Sequence, residues 1–270
     1  MTSRIGERER WHDVGSSRTA RRRGATSRHG GVPVSLPDRP DGTAVRQGSL
    51  ALGDTGAPRT RAEVLPGVWL VPDWLDEPTQ RALAVDFREW ARPPAGLRHP
   101  RMPTGQVMGV QSVCLGWHWS PYTYSRTADD TDGAPVKPLP DHLVALARAA
   151  VAAAYGDRSP EAAGYAPDAA IVNRYPPGAK LGLHQDGEEP SEAPVVTIGL
   201  GDTCTFRLAG VDRRTGPFVD VEMRSGDLLV FGRAHRRIFH GVPKVFPGTA
   251  PDGLGLPDGR LSITVRETGW

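Results

Sequence analysis

The stretch from Asn173 to Asp186 reads NRYPPGAKLGLHQD, and it is the most informative part of the sequence for both fold and function. A β-branched apolar run leads into it, and Pro177 and Gly178 mark a turn between two short apolar segments. His184 and Asp186 then follow as a His-x-Asp pair. The stretch therefore predicts a strand and a turn, followed by two side chains able to bind a metal.

Short β-rich runs continue on both sides of this stretch. Turn residues separate them at intervals of roughly 8 to 12 residues, which is typical of an all-β sandwich or barrel. The runs cover residues 170–175, 195–200, 204–208, 218–223, 228–231, 238–242 and 261–266. We expect a mainly β fold with flanking helices (α+β), built on a double-stranded β-helix, or jelly roll.

Two helices are predicted before the β-rich region. Residues 64–71 are expected to form a first strand, and a helix then starts with Asp76 as its cap and ends before Pro93. A second helix is expected after Pro140, with Asp141 as its cap, and it should stop at Gly156. Both helices should pack on one sheet.

The N-terminal region differs in composition from the remainder. Residues 1–60 hold 11 Arg against six acidic residues and show almost no apolar periodicity, so we expect a disordered extension, with residues 61–270 forming the folded domain. That leaves the folded part slightly acidic, although the whole chain carries +2, so a groove rather than a basic surface must attract any nucleic acid.

No apolar run suggests a membrane span or secretory signal, which predicts a cytoplasmic protein. Cys114 and Cys204 match no zinc spacing and should be reduced core thiols.

His184, Asp186 and His240 are the candidate metal ligands. Two imidazoles and one carboxylate on one face of a metal leave the opposite positions open, which suits Fe(II) better than Zn(II). Taken alone, these residues are equally compatible with a chance pattern, because His-x-Asp is common and a lone His is often a packed or surface residue.

The longer motif resembles the signature of the AlkB family, Asn-Arg-Tyr-x-Pro-Gly-x-x-Leu-x-x-His-x-Asp. Further segments match that family in the same order, and the resemblance covers about residues 64–270. These segments are Ser225-Gly226-Asp227, His240-Gly241-Val242, the span from Arg260 to Arg266, and Thr268-Gly269.

The resemblance implies an iron(II)- and 2-oxoglutarate-dependent dioxygenase that also uses O2. His184, Asp186 and His240 would then ligate iron. Arg260 and Arg266 would surround 2-oxoglutarate, with Arg266 the better match to the fork that grips its distal C5 carboxylate. Asn173 and Tyr175 would donate hydrogen bonds to the cosubstrate. Ser262 stands where well-known members have Asn, which predicts weaker cosubstrate binding.

The resemblance also implies a nucleotide-recognition lid over about residues 97–126. Trp117 and Tyr122 are candidates to stack on a flipped base, although lid packing would also explain them. Glu188 is expected to favour a cationic lesion. Arg213 is expected to reach a phosphate or a base edge, unless it is simply solvated.

The implied reaction is oxidative demethylation of N-alkylated bases such as 1-methyladenine and 3-methylcytosine, with release of succinate, carbon dioxide and formaldehyde. The expected partner is methylated single- or double-stranded DNA, and RNA is an alternative; no membrane partner is expected, and the chain should be a monomer. Three other interpretations stay open: an AlkB-like oxygenase acting on RNA, including tRNA, or on protein; a non-catalytic nucleic-acid binder on a jelly roll; and a cupin-like small-molecule site.

Overall fold

The computed structural model describes residues 59–270. The predicted extension, residues 1–60, lies almost entirely outside the described residues. Within the described part, three helices and thirteen strands are ordered along the chain as follows: β1 Ala62–Leu65, β2 Val68–Val71, α1 Glu77–Trp90, β3 Gln111–Leu115, β4 His118–Ser120, β5 Thr123–Ser125, α2 Asp141–Tyr155, α3 Pro160–Gly164, β6 Ala169–Tyr175, β7 Leu181–His184, β8 Val195–Gly201, β9 Thr203–Leu208, β10 Val219–Met223, β11 Leu228–Phe231, β12 His240–Phe246 and β13 Arg260–Arg266.

Two antiparallel sheets form the jelly roll. The larger has the strand order β1-β2-β11-β8-β13-β6-β3, and the smaller has the order β10-β9-β12-β7. Side chains from both sheets meet in one apolar core, including Phe206 and Val242 from the smaller sheet and Leu229 and Phe231 from the larger. The expected mainly β jelly roll with flanking helices is confirmed.

The larger sheet is buried on both faces, which explains why strands such as β2 (VWLV) and β11 (LLVF) are apolar runs without alternation. Along β11, Leu229 and Phe231 point into the core between the sheets, whereas Leu228 and Val230 point to the opposite side. There they pack with the apolar faces of α1 and α2, so both predicted helices cover one sheet.

The helix ends follow from local chemistry, with one difference from the prediction. Asp76 caps α1 as expected, since its side chain accepts a hydrogen bond from the Thr79 backbone N–H at 2.9 Å. The expectation that Asp141 caps α2 is wrong, because Asp141 is the first helical residue and Pro140 holds the cap position without a side-chain hydrogen bond. Gly156 ends that helix with φ at +94°, as expected for a residue that needs the positive-φ region.

The strand predictions hold in position and differ in detail. The expected first strand, 64–71, is two strands, because Gly67 at φ +77° turns the chain between them. The run 238–242 enters its strand only at His240. Strands β3, β4, β5 and β7 and the short helix α3 were not predicted, since all of them are only three to five residues long. Cys114 and Cys204 are buried free thiols, as expected. No helix among residues 59–270 is long and apolar enough to cross a bilayer.

Candidate active site

His184, Asp186 and His240 meet at the open end of the jelly roll. His184 ends β7 and His240 begins β12, and the two residues are direct partners in the antiparallel register. The Asp186 carboxylate lies between them, with 3.8 Å from Oδ1 to His184 Nε2 and 3.8 Å from Oδ2 to His240 Nε2. The three donor atoms lie within 4.8 Å of one another. The structure therefore brings together the three residues that the sequence assigned to a metal.

Local hydrogen bonds fix both imidazoles in the form that a metal requires. His184 Nδ1 lies 3.0 Å from the Gly182 carbonyl oxygen, and His240 Nδ1 lies 3.0 Å from that of Ile238. A carbonyl oxygen only accepts, so each Nδ1 must carry the hydrogen, which leaves the Nε2 lone pairs directed towards Asp186. Burial, reinforced by the neighbouring His184, lowers the pKa of His240 to about 4, so this ring is neutral at physiological pH.

Asp186 is held ionised by the cation beside it. Burial alone would raise its pKa, but the charge of Arg266, together with the two imidazoles, holds the pKa well below its usual range. Arg266 Nη2 lies 3.0 Å from Asp186 Oδ2, yet its N–H groups do not point at that oxygen, which is buried without a hydrogen-bond partner among the described residues. A buried carboxylate oxygen with free lone pairs, beside two Nε2 atoms, fits a ferrous ion.

Arg266 belongs to a buried ionic network that the sequence did not reveal. Its Nη1 donates to Glu189 Oε1 at 2.6 Å, and the Tyr124 hydroxyl donates to the same oxygen at 2.6 Å. The second Glu189 oxygen faces Arg236 Nη2 at 3.4 Å, and Arg236 Nη1 donates to the Asp186 backbone carbonyl at 3.0 Å. Glu189 thus bridges Arg266 and Arg236, and Arg236 in turn holds the backbone of the metal ligand Asp186.

Both arginines of β13 have buried N–H groups without a partner among the described residues. Arg266 lines the cavity beside the metal-ligand triad and is shared between Asp186 and Glu189, and its Nε is one of these unpartnered groups. Arg260 is also buried, and its Nη1 donates to the backbone carbonyls of Asp202 and Met223 at 2.8 and 3.2 Å. Its Nε and Nη2 have no partner among the described residues; it is paired with Tyr175 on the neighbouring strand β6 and is not among the residues that line that cavity. The expected role of Arg266 as the fork for the distal carboxylate therefore stays a prediction, and Arg260, with two donor nitrogens unpaired within residues 59–270, is the other candidate.

A cavity of about 670 Å³ opens beside the triad. Its volume lies in the range of small-molecule sites and is large enough for a nucleobase beside a dicarboxylic acid. The predicted residues in its wall are Asn173, Tyr175, Ser262, Arg266, Tyr122, Glu188 and the three metal ligands. The lid segment contributes Met102, Gln106, Met108, Trp119 and Tyr122.

Two predicted substrate residues do not line this cavity. The Trp117 indole N–H donates to Asp168 Oδ2 at 3.0 Å, and the Arg126 guanidinium covers its ring at 3.5 Å from the centroid. Trp119, two residues on, lines the cavity instead. Arg213 is exposed outside the cavity, whereas its neighbour Arg214 lines it. In each case the predicted residue lies in a segment that reaches the cavity, and the backbone direction decides which side chain faces inward.

The fold and the donor set define an oxygenase of the ferrous-iron and 2-oxoglutarate type. Residues 67–266 match the model of the 2OG-Fe(II) oxygenase superfamily. The chain is 36% identical over 174 residues to the alpha-ketoglutarate-dependent dioxygenase AlkB of Escherichia coli, covering 62% of this chain and 75% of that protein. It is 34% identical over 209 residues to the AlkB homolog of Caulobacter vibrioides, covering 75% and 88%. The chain belongs to the AlkB family of this superfamily.

Plant relatives are similar over a comparable span. The DNA N(6)-methyladenine demethylase ALKBH1D of Arabidopsis thaliana is 34% identical over 220 residues, covering 75% of this chain, which spans 50% of that protein's length. The solved structure of OsALKBH1 superposes with a TM-score of 0.68 at 30% identity, covering 76% of this chain and 100% of that one. The superposition on OsALKBH1 agrees with the jelly roll, and both comparisons agree with the family.

Proposed function

We propose that this chain is an oxidative demethylase of N-alkylated nucleic-acid bases, with 1-methyladenine and 3-methylcytosine in DNA as its substrates. The observation that carries the proposal is the opening of the His184, Asp186 and His240 triad into a cavity that an aromatic lid covers. When bound, ferrous iron and 2-oxoglutarate supply the oxidation of an N-methyl carbon by O2. The methyl group leaves as formaldehyde, and the cosubstrate leaves as succinate and carbon dioxide.

Each group of residues has a distinct task in this scheme. The three ligands hold the metal, and Arg266 with Glu189 fixes the orientation of Asp186. Arg260 supplies the free N–H groups of Nε and Nη2 that a distal carboxylate needs. It lies close to Ser262 on the same strand and to Tyr175 on the neighbouring strand. Phe206 and Phe231 pack on the His240 ring and exclude water from one side of the metal.

The lid gives the cavity its preference for a flipped base. Trp119 and Tyr122 supply flat surfaces on which a base can stack. Glu188 lies in the same wall, where a carboxylate attracts a base made cationic by methylation on a ring nitrogen. Burial, together with the negative charges of Glu189 and Asp186, raises the pKa of Glu188, so a cationic base would also favour its ionised form.

RNA is the alternative substrate. A relative in Schizosaccharomyces pombe, named tRNA demethylase abh1, is 35% identical over 88 residues, or 32% of this chain. The plant relative's name specifies a different lesion, N6-methyladenine, in DNA. Both substrates therefore belong in the test.

Mass spectrometry of a panel of oligonucleotides tests the proposal. The chain is loaded with Fe(II) without oxygen, then given 2-oxoglutarate, air and oligonucleotides carrying 1-methyladenine, 3-methylcytosine or N6-methyladenine in single-stranded DNA, duplex DNA or RNA. We expect loss of the methyl group from the first two lesions in DNA, with one succinate formed per methyl group lost and no loss with Asp186→Ala. Loss from RNA alone would support the alternative substrate. No conversion of any oligonucleotide by the iron-loaded protein would favour a non-catalytic binder.

A further inference from the structure

Four polar side chains form a cluster beneath the hairpin of β4 and β5, outside the metal site. We call Arg98, Cys114, His118 and Asp130 the Arg98 cluster. Arg98, Cys114 and His118 are 8%, 1% and 2% exposed, so their interactions are shielded from water. Asp130 Oδ1 accepts from Arg98 Nε at 2.8 Å and lies 2.6 Å from His118 Nε2, while Arg98 Nη1 lies 3.7 Å from Cys114 Sγ.

The Arg98 cluster holds the backbone of one cavity residue. The Trp119 N–H donates to Cys114 Sγ at 3.4 Å, and the Trp119 carbonyl accepts from Arg98 Nη2 and lies 3.8 Å from the same sulfur. Trp119 is also paired across the hairpin with Tyr124. Both backbone polar groups of the tryptophan that lines the cavity are therefore fixed by buried side chains.

The charges within the cluster favour a tight arrangement. Burial alone would raise the pKa of Cys114, but the neighbouring His118 and Arg98 lower the pKa below its usual value. Burial lowers the pKa of His118, whereas the neighbouring Cys114 and the hydrogen bond with Asp130 raise it, and the net shift is upward. A thiol with more thiolate character is a better acceptor for the Trp119 N–H.

We propose that Cys114 is a positioning residue for substrate recognition: its sulfur, held by the other members of the Arg98 cluster, anchors Trp119 and the hairpin against the cavity. This inference rests on the proposed function for its kinetic consequence only. The alternative is that Cys114 merely fills space in the core, as most buried cysteines do. The two interpretations differ in what an alanine would change, because only the first ties the sulfur to the hairpin backbone.

The test compares three variants in the full chain. Cys114→Ala removes the acceptor, and Cys114→Ser restores a shorter one. Val113→Ala is the matched control, since Val113 is the fully buried neighbour on β3 that points to the opposite side, into the helix-covered core. Both alanine variants leave a small cavity and lower stability, but only one removes a contact to Trp119.

Amide hydrogen exchange of residues 116–121 is the first readout, and it requires no activity. We expect exchange about fivefold faster in Cys114→Ala, the size that follows from losing one ordinary hydrogen bond, with partial recovery in Cys114→Ser and no local change in Val113→Ala. Equal exchange in the two alanine variants would overturn the inference.

Steady-state kinetics with the preferred methylated oligonucleotide is the second readout. We expect the KM for the oligonucleotide to rise about fivefold in Cys114→Ala, with the KM for 2-oxoglutarate unchanged. An unchanged oligonucleotide KM would contradict a role in substrate recognition. If the parent chain converts no oligonucleotide, the proposed function fails, and hydrogen exchange alone then decides whether the sulfur anchors the hairpin.

Discussion

Arg266 Nη2 lies 3.0 Å from Oδ2 of Asp186, so the last residue of β13 is paired by charge with a metal ligand. Both side chains are buried, and Glu189 completes the group at 2.6 Å from the same guanidinium. The arrangement keeps Asp186 ionised and leaves its oxygens free to bind a metal. The Arg266 guanidinium therefore balances two buried carboxylates in the active site.

Arg266→Gln should destabilise the metal-free protein by about 3 to 5 kcal/mol, because it leaves Asp186 and Glu189 as buried carboxylates with one fewer cation. Equilibrium denaturation in urea measures this loss. The matched control is Arg233→Gln, which breaks an ion pair with Glu161 on the surface and should cost less than about 1 kcal/mol. Equal losses of unfolding free energy in the two variants would show that the buried network stabilises the protein no more than a surface ion pair does.

Arg260→Lys should raise the KM for 2-oxoglutarate by about tenfold or more while leaving metal affinity unchanged. Lysine keeps the charge but lacks the paired N–H groups that a carboxylate accepts. Steady-state kinetics with varied 2-oxoglutarate checks this, with Arg207→Lys as control, since Arg207 pairs with Asp220 on the smaller sheet. A KM for 2-oxoglutarate equal to that of the parent chain would indicate that Arg266, and not Arg260, binds the distal carboxylate.

Ser262→Asn should lower the KM for 2-oxoglutarate. Ser262 lines the cavity between Asn173 and Gly199 on the adjacent strands, and an amide extends further than a hydroxyl and can both donate and accept. The same kinetic assay decides the point. An unchanged or higher KM would mean that the hydroxyl already meets the need of the cosubstrate.

Glu188→Gln should reduce kcat/KM for the cationic lesions 1-methyladenine and 3-methylcytosine more than for the neutral N6-methyladenine. The carboxylate in the cavity wall attracts a positive base, and the amide keeps its shape without its charge. Competition between lesions in one reaction, followed by mass spectrometry, gives the ratio directly. Glu192→Gln serves as control because Glu192 is exposed and paired with Arg237. Equal losses on charged and neutral lesions would remove the role of charge.

The sequence predicted the jelly roll because the larger sheet is buried on both faces. Strand β11 is a continuous apolar run and β13 alternates apolar with polar residues, and both stand out between turn residues. Strand β7 was missed because its four residues include two glycine or histidine positions and only Leu181 and Leu183 carry the pattern. Short strands of the lid carry even less periodic signal.

The metal site could be predicted and its surroundings could not. His184, Asp186 and His240 follow from donor chemistry and the long motif, which fixes both the order and the spacing of the ligands. Glu189 and Arg236 were missed because each lies in a charged run that reads as a solvated surface, and only the folded chain shows that they face one another. Trp117 and Arg213 were placed one or two residues from the side chains that line the cavity, since a tight hairpin or loop decides which residue points inward.

Anaerobic titration with Fe(II), followed by separation of free from bound metal, tests the central claim most directly. The parent chain should bind one ferrous ion, Asp186→Ala should lose that binding, and His235→Ala, which changes a histidine bonded to the Pro66 carbonyl away from the site, should retain it. Binding by Asp186→Ala with the affinity of the parent, or none by the parent, would contradict the account.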